Sequence, residues 1–121
     1  MQIASWNVNS VRTRLDHVLN WLERSEADLL ALQETKVDDP QFPLKPFLER
    51  GYQVQIHGQK AYNGVALISR TPLDDVRMGF SAELVDDSEA EELGAQKRVI
   101  SALIDGVRVV NLYVPNGSSL K

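Results

Sequence analysis

The sequence contains no cysteine, which excludes disulfides and thiolate metal sites and makes a reducing compartment the simplest setting. No apolar run approaches the roughly 20 residues that a membrane-crossing helix needs. The opening Met1-Gln2-Ile3-Ala4-Ser5-Trp6 lacks the basic run and apolar stretch of a secretory leader, so a cytoplasmic location away from membranes is expected. Positive charge is also scarce: 13 Lys and Arg face 17 Asp and Glu, for a net charge of −4. A protein that held nucleic acid by bulk charge would be basic, and the overall sign argues against that. The deficit is local, however. Asp86, Asp87, Glu89, Glu91 and Glu92 crowd one short stretch, and the rest of the chain is close to neutral.

What is present fits a folded domain. Hydrophobic residues make up 43% of the 121 and charged residues 25%, a balance that rules out global disorder. The length suits one domain and is small for an enzyme with a deep cleft. No internal repeat, low-complexity tract or interdomain linker interrupts it.

Residues 2–8 read as a strand ending at Asn7-Val8-Asn9. Val11, Leu15, Val18 and Leu22 then recur at helical spacing and predict an amphipathic helix over 11–25, with His17 beside the apolar stripe. Leu29-Leu30-Ala31-Leu32 is a short continuous apolar run, the mark of a buried strand. Pro40, Pro43 and Pro46 punctuate the next segment, and a helical turn through Phe47 closes at Gly51. Strands are expected over 52–57, a half-exposed strand that ends at His57, over 64–69, and over 76–80. An acidic loop follows at 81–95. Two last strands, 99–104 and 107–114, flank Asp105-Gly106, a type I′ hairpin signal. The pattern predicts an α/β fold in which a helix covers one face of a sheet and a second sheet packs against the other.

Three polar clusters end predicted strands: Asn7 with Asn9, then Gln33-Glu34-Thr35-Lys36, then Tyr113-Val114-Pro115-Asn116-Gly117. Neighbouring strands would bring such ends to one edge. Glu34 beside amide side chains suits a hard cation such as Mg²⁺, which takes oxygen ligands, keeps waters and needs only one or two carboxylates. Asn7 offers a carbonyl oxygen to the same ion or to a substrate. The plainer reading is that Glu34 caps a turn and Asn7 satisfies backbone at a strand end. Tyr113 either donates to a phosphate oxygen or only packs its ring on the core. Arg12, Arg14 and Lys97-Arg98 are solvated charges or phosphate contacts, and neither His17 nor His57 has the spacing partner of a zinc site.

Five stretches resemble, in order, the exonuclease III family of abasic-site endonucleases. They are Ser5-Trp6-Asn7-Val8-Asn9-Ser10, Leu32-Gln33-Glu34-Thr35-Lys36, Gly58-Gln59-Lys60-Ala61-Tyr62-Asn63-Gly64-Val65-Ala66, Lys97-Arg98-Val99-Ile100 and Tyr113-Val114-Pro115-Asn116-Gly117. The resemblance implies half of a two-sheet, DNase I-like α/β sandwich, its sheets mixed and mostly antiparallel, with helices outside. It implies a Mg²⁺-dependent DNA repair nuclease, with Mn²⁺ as an alternative ion, that cuts 5′ to abasic sites and carries 3′-exonuclease or 3′-phosphatase side activity. The expected metal ligand is Glu34, with Asn7 beside it, and Tyr113 and Asn116 lie at the scissile phosphate with Asn7. Asn9, Arg12, Lys36, Tyr62 and Arg98 are expected on double-stranded DNA. Ser10 departs from the glycine usual in the family.

The family's Gly-Asp-x-Asn and terminal Ser-Asp-His motifs do not occur in residues 1–121. The chain is therefore expected to be the N-terminal portion of a single nuclease domain, inactive alone, that pairs with a C-terminal half or with itself. The rival readings are a phosphatase or phosphodiesterase of the wider superfamily and a non-catalytic DNA-binding remnant.

Overall fold

A computed structural model describes residues 1–58, 64–78 and 99–112. Among the described residues the order is β1 (Ile3–Asn7), α1 (Leu15–Arg24), β2 (Leu29–Gln33), α2 (Leu44–Glu49), β3 (Gln53–His57), β4 (Val65–Ser69), β5 (Asp74–Met78), β6 (Val99–Ile104) and β7 (Val107–Leu112). A 3-10 turn at Asp39–Gln41 precedes α2. The first sheet runs β1-β2-β4-β3, parallel between β1 and β2 and antiparallel elsewhere; the second, β5-β6-β7, is antiparallel.

The apolar runs explain the layering. Leu30, Leu32, Ala66 and Ile68 project from β2 and β4 toward Val18, Leu19 and Leu22 of α1 and Phe47 of α2. Leu29, Ala31, Val65 and Leu67 project the other way, onto Ile100, Ala102 and Ile104 of β6. Strands at the centre of a sheet covered on both faces have no polar side, which is why β2 and β4 read as unbroken hydrophobic runs. Each Val, Leu, Ile or Phe among them contributes roughly 1.5–3 kcal/mol on burial. The expected sandwich, with helices outside its first sheet, is present. No helix of the described residues is long and apolar enough to cross a membrane.

The hairpin is the plainest agreement between sequence and structure. Asp105 and Gly106 both adopt positive φ, 49° and 78°, as a type I′ turn requires. Two expectations need correction. The first helix begins at Leu15 rather than at 11, because the Val8, Ser10 and Val11 amides bond instead to the Gln33, Glu34 and Thr35 carbonyls and hold that stretch against the end of β2. The strand expected over 76–80 starts earlier, at Asp74, with a register shift between Asp74 and Arg77 around the left-handed Asp75. Residues 79–80 lie outside the described residues, as do the acidic loop and 113–114 of the last predicted strand. β3 is half-exposed as expected, and His57 at its end is buried, since it pairs with Val65 on the face turned toward the second sheet.

Candidate active site

The parallel pairing of β1 and β2 places Asn7 opposite Gln33, so both strands release their chains at the same edge. Beyond that point the two segments stay joined. The Val8 amide donates to the Gln33 carbonyl at 3.0 Å, Ser10 to Glu34 at 2.8 Å and Val11 to Thr35 at 3.1 Å. The Thr35 amide in turn donates to the Gly64 carbonyl at 3.2 Å, adding the start of β4 to the same edge.

This extension of the sheet is bent sharply. Asn9, Ser10, Glu34 and Lys36 all have positive φ, at 47°, 88°, 53° and 56°. Each such residue costs on the order of 1–2 kcal/mol against its ordinary conformation, and backbone of this kind gathers at functional sites. The bends sort the side chains. Thr35, between two left-handed neighbours, is buried, while Glu34 and Lys36 are half-exposed. Thr35 Oγ1 has no hydrogen-bond partner among the described residues. Gly64, at φ +91°, lies so close that a Cβ there would come within 2.1 Å of that oxygen. Only glycine permits both the backbone angle and the approach.

The polar side chains meet across the joined segments. Asn7 Oδ1 accepts from the Asn9 amide at 3.2 Å, and the Lys36 ammonium donates to Asn9 Oδ1. Arg12 and Lys36 line one cavity of about 300 Å³ with Val37, Asp38 and Gln41. Five residues singled out from the sequence, Asn7, Asn9, Arg12, Glu34 and Lys36, thus share one edge. Tyr62, Arg98, Tyr113 and Asn116 lie outside the described residues.

The donors suit a hard cation. Glu34 supplies a carboxylate, and the Asn7 carbonyl oxygen has a second lone pair besides the one used by Asn9. The described residues contain no group of three His, Cys, Asp or Glu that would form a denser metal cage. One carboxylate with amide oxygens matches Mg²⁺, which needs few protein ligands, better than the nitrogen and sulfur sets that zinc selects.

The sequence reading missed one pair. Asn111 on β7 is buried, and its Nδ2 donates to the Leu32 carbonyl at 2.8 Å and the Ala66 carbonyl at 2.9 Å. Its Oδ1 accepts from Gln33 Nε2 at 2.8 Å. The available signal was a lone amide inside the apolar run Val109-Val110-Asn111-Leu112.

The chain as a whole is similar to known proteins. The model of the Endonuclease/Exonuclease/phosphatase family matches residues 4–113. Exodeoxyribonuclease III of Haemophilus influenzae is 35% identical over 98% of this chain and 43% of its own length. The 3′-5′ exonuclease of Neisseria meningitidis superposes with a TM-score of 0.83 at 44% identity, over 97% of this chain and 43% of that one. An AP endonuclease from Archaeoglobus fulgidus gives 0.81 at 40% identity, over 95% and 42%. The chain thus spans less than half the length of each of these relatives.

Proposed function

Because the chain belongs to the endonuclease/exonuclease/phosphatase family, and within it to the exonuclease III and AP endonuclease group, we propose that it forms the metal-bearing edge of a DNA repair nuclease that hydrolyses phosphodiesters 5′ to abasic sites. The 121 residues supply the N-terminal portion of the catalytic domain, and the remaining length of the relatives supplies the rest. The observation that carries this reading is the convergence of Glu34, Asn7 and the Asn9–Lys36 contact on the joined ends of parallel strands.

Glu34 holds Mg²⁺, and Asn7 orients the ion or the phosphate oxygen beside it. The ion, when bound, neutralises charge that develops on the phosphate as the bond breaks. The rest is positioning. Arg12 and Lys36 take the DNA backbone into their shared cavity, and Asn9 fixes the Lys36 ammonium. Tyr62 and Arg98 are further DNA contacts on the strength of the family resemblance alone. Tyr113 and Asn116 contact the scissile phosphate. Side activity toward 3′ ends belongs to the same reading, since a 3′-terminal phosphate also carries non-bridging oxygens that a cation and amide donors can hold.

The test is Mg²⁺-dependent incision of a labelled abasic duplex by the full-length protein, set beside hydrolysis of a phosphoinositide. Cleavage of the duplex, abolished by EDTA, is expected. Cleavage of the phosphoinositide alone would replace this reading with the phosphatase one, and EDTA-resistant DNA binding without cleavage would replace it with a binding module. Residues 1–121 alone are expected not to cut. Ile3 on β1 and Val107, Val110 and Leu112 on β7 are exposed apolar side chains, which we take as surface covered by the rest of the nuclease. Residues 1–121 prepared alone should therefore self-associate, and a clean monomer by light scattering would contradict that assignment.

A further inference from the structure

Building on the reading of this edge as the cleavage site, we propose that Gln33 and Asn111 are positioning residues, which lock the metal-bearing end of β2 to the strand that leads into Tyr113. A buried amide left unbonded costs about 1–3 kcal/mol, so Asn111 in an apolar strand needs a reason. Only 3% of it is exposed, and it faces inward opposite Ile100. Both of its polar atoms are engaged: Nδ2 reaches carbonyls of β2 and β4, at Leu32 and Ala66, and Oδ1 takes the Gln33 amide. Gln33 Nε2 also reaches Ser5 Oγ on β1 at 2.9 Å and the Ala31 carbonyl at 3.3 Å. Four strands from both sheets therefore meet at one pair of amides.

Apolar side chains of similar size would fill the same space, but apolar contact is non-directional and lets one sheet slide over the other. Hydrogen bonds at 2.8–2.9 Å fix the offset instead. The location says which offset matters. Gln33 immediately precedes Glu34, Ser5 stands two residues before Asn7, Ala66 two after Gly64, and Asn111 two before Tyr113. The pair and its partners thus lie one or two residues along the chain from Asn7, Glu34, Gly64 and Tyr113. Groups that hold a metal ligand in place are worth roughly 10–100-fold in metal affinity or activity when removed.

The experiment uses Gln33→Met and Asn111→Leu in the full-length protein, with Gln33→Met as the milder change should Asn111→Leu fold poorly. The Mg²⁺ dependence of abasic-site incision is measured together with amide exchange at Ser10, Val11 and Thr35, the donors that join the three segments. The expected result is a loss of roughly 10–100-fold in apparent Mg²⁺ affinity or kcat, with KM for the duplex unchanged. Exchange should accelerate at those three amides while Leu30 and Leu67 keep their rates. Unchanged exchange at the three amides, or acceleration spread evenly over the sheet, would overturn the proposal. Absence of incision by the unsubstituted protein would sink the functional reading instead, and the exchange comparison would still decide whether the pair holds this edge.

Discussion

Within a few residues β2 passes from one regime to another. At its centre Leu30 and Leu32 sit in a packed apolar layer between the first sheet and the helices α1 and α2, with ordinary strand backbone. At its end Glu34 and Lys36 turn left-handed around a buried hydroxyl that has no partner among the described residues, and Asn9 and Ser10 do the same on the neighbouring segment. The first region is what a sequence does to gain stability. The second gives stability up, by several left-handed residues in one place, and it persists because the packed centre over-determines it. The difference teaches where to look for chemistry: strain that no packing need explains lies where the polar residues converge.

Substitutions should separate the two regions by sign as well as size. Leu67→Ala, at the fully buried centre, should lower stability by about 2–5 kcal/mol in denaturant unfolding. A smaller loss would mean that the two sheets collapse onto the space. Gly64→Ala comes next, at about 2–4 kcal/mol, since it adds both backbone strain and a clash with Thr35 Oγ1. If that substitution were tolerated, the strained edge would be loosely held. Thr35→Val tests the opposite sign. Removing a buried hydroxyl that lacks a partner while keeping its shape should leave stability unchanged or raise it by up to about 1 kcal/mol; a large loss would reveal a partner for that oxygen.

The smallest effect belongs to Asp75, far from the edge. The hydrogen bond from Arg77, and then that from Arg108, holds its carboxyl below the ordinary value of 3.8. A carboxylate with a depressed folded pKa adds stability above its unfolded value and loses it as pH falls through the folded one. Melting temperature should therefore show a slight extra decline below pH 3.8 that Asp75→Asn removes. An identical decline in the variant would assign it to other carboxylates. The group is exposed, so the difference should be small.

Much of this was legible in the residues. The unbroken runs of β2 and β4 announced strands covered on both faces, and Asp105-Gly106 announced its turn, because periodicity and turn chemistry are local signals. The start of α1 was not legible, since Val8, Ser10 and Val11 bond to a segment distant in sequence. The burial of His57 and the partners of Asn111 were hidden for the same reason: each depends on which strand lies opposite. Asn7, Asn9, Glu34 and Lys36 stand out as strand-end polar clusters and Arg12 through the family resemblance, and the shared edge follows from the parallel pairing of β1 and β2. That parallel pairing is the step that no single segment encodes.

The most direct test sets incision against stability for Glu34→Ala. In the full-length protein with Mg²⁺, abasic-duplex cleavage should fall by on the order of 10²–10³ or more, while the variant still unfolds in one cooperative transition well above the assay temperature, because the half-exposed side chain is not part of the packed core. A variant that cuts as fast as the unsubstituted protein, or that loses activity only by unfolding, would contradict the claim that this strained edge is where the chemistry occurs.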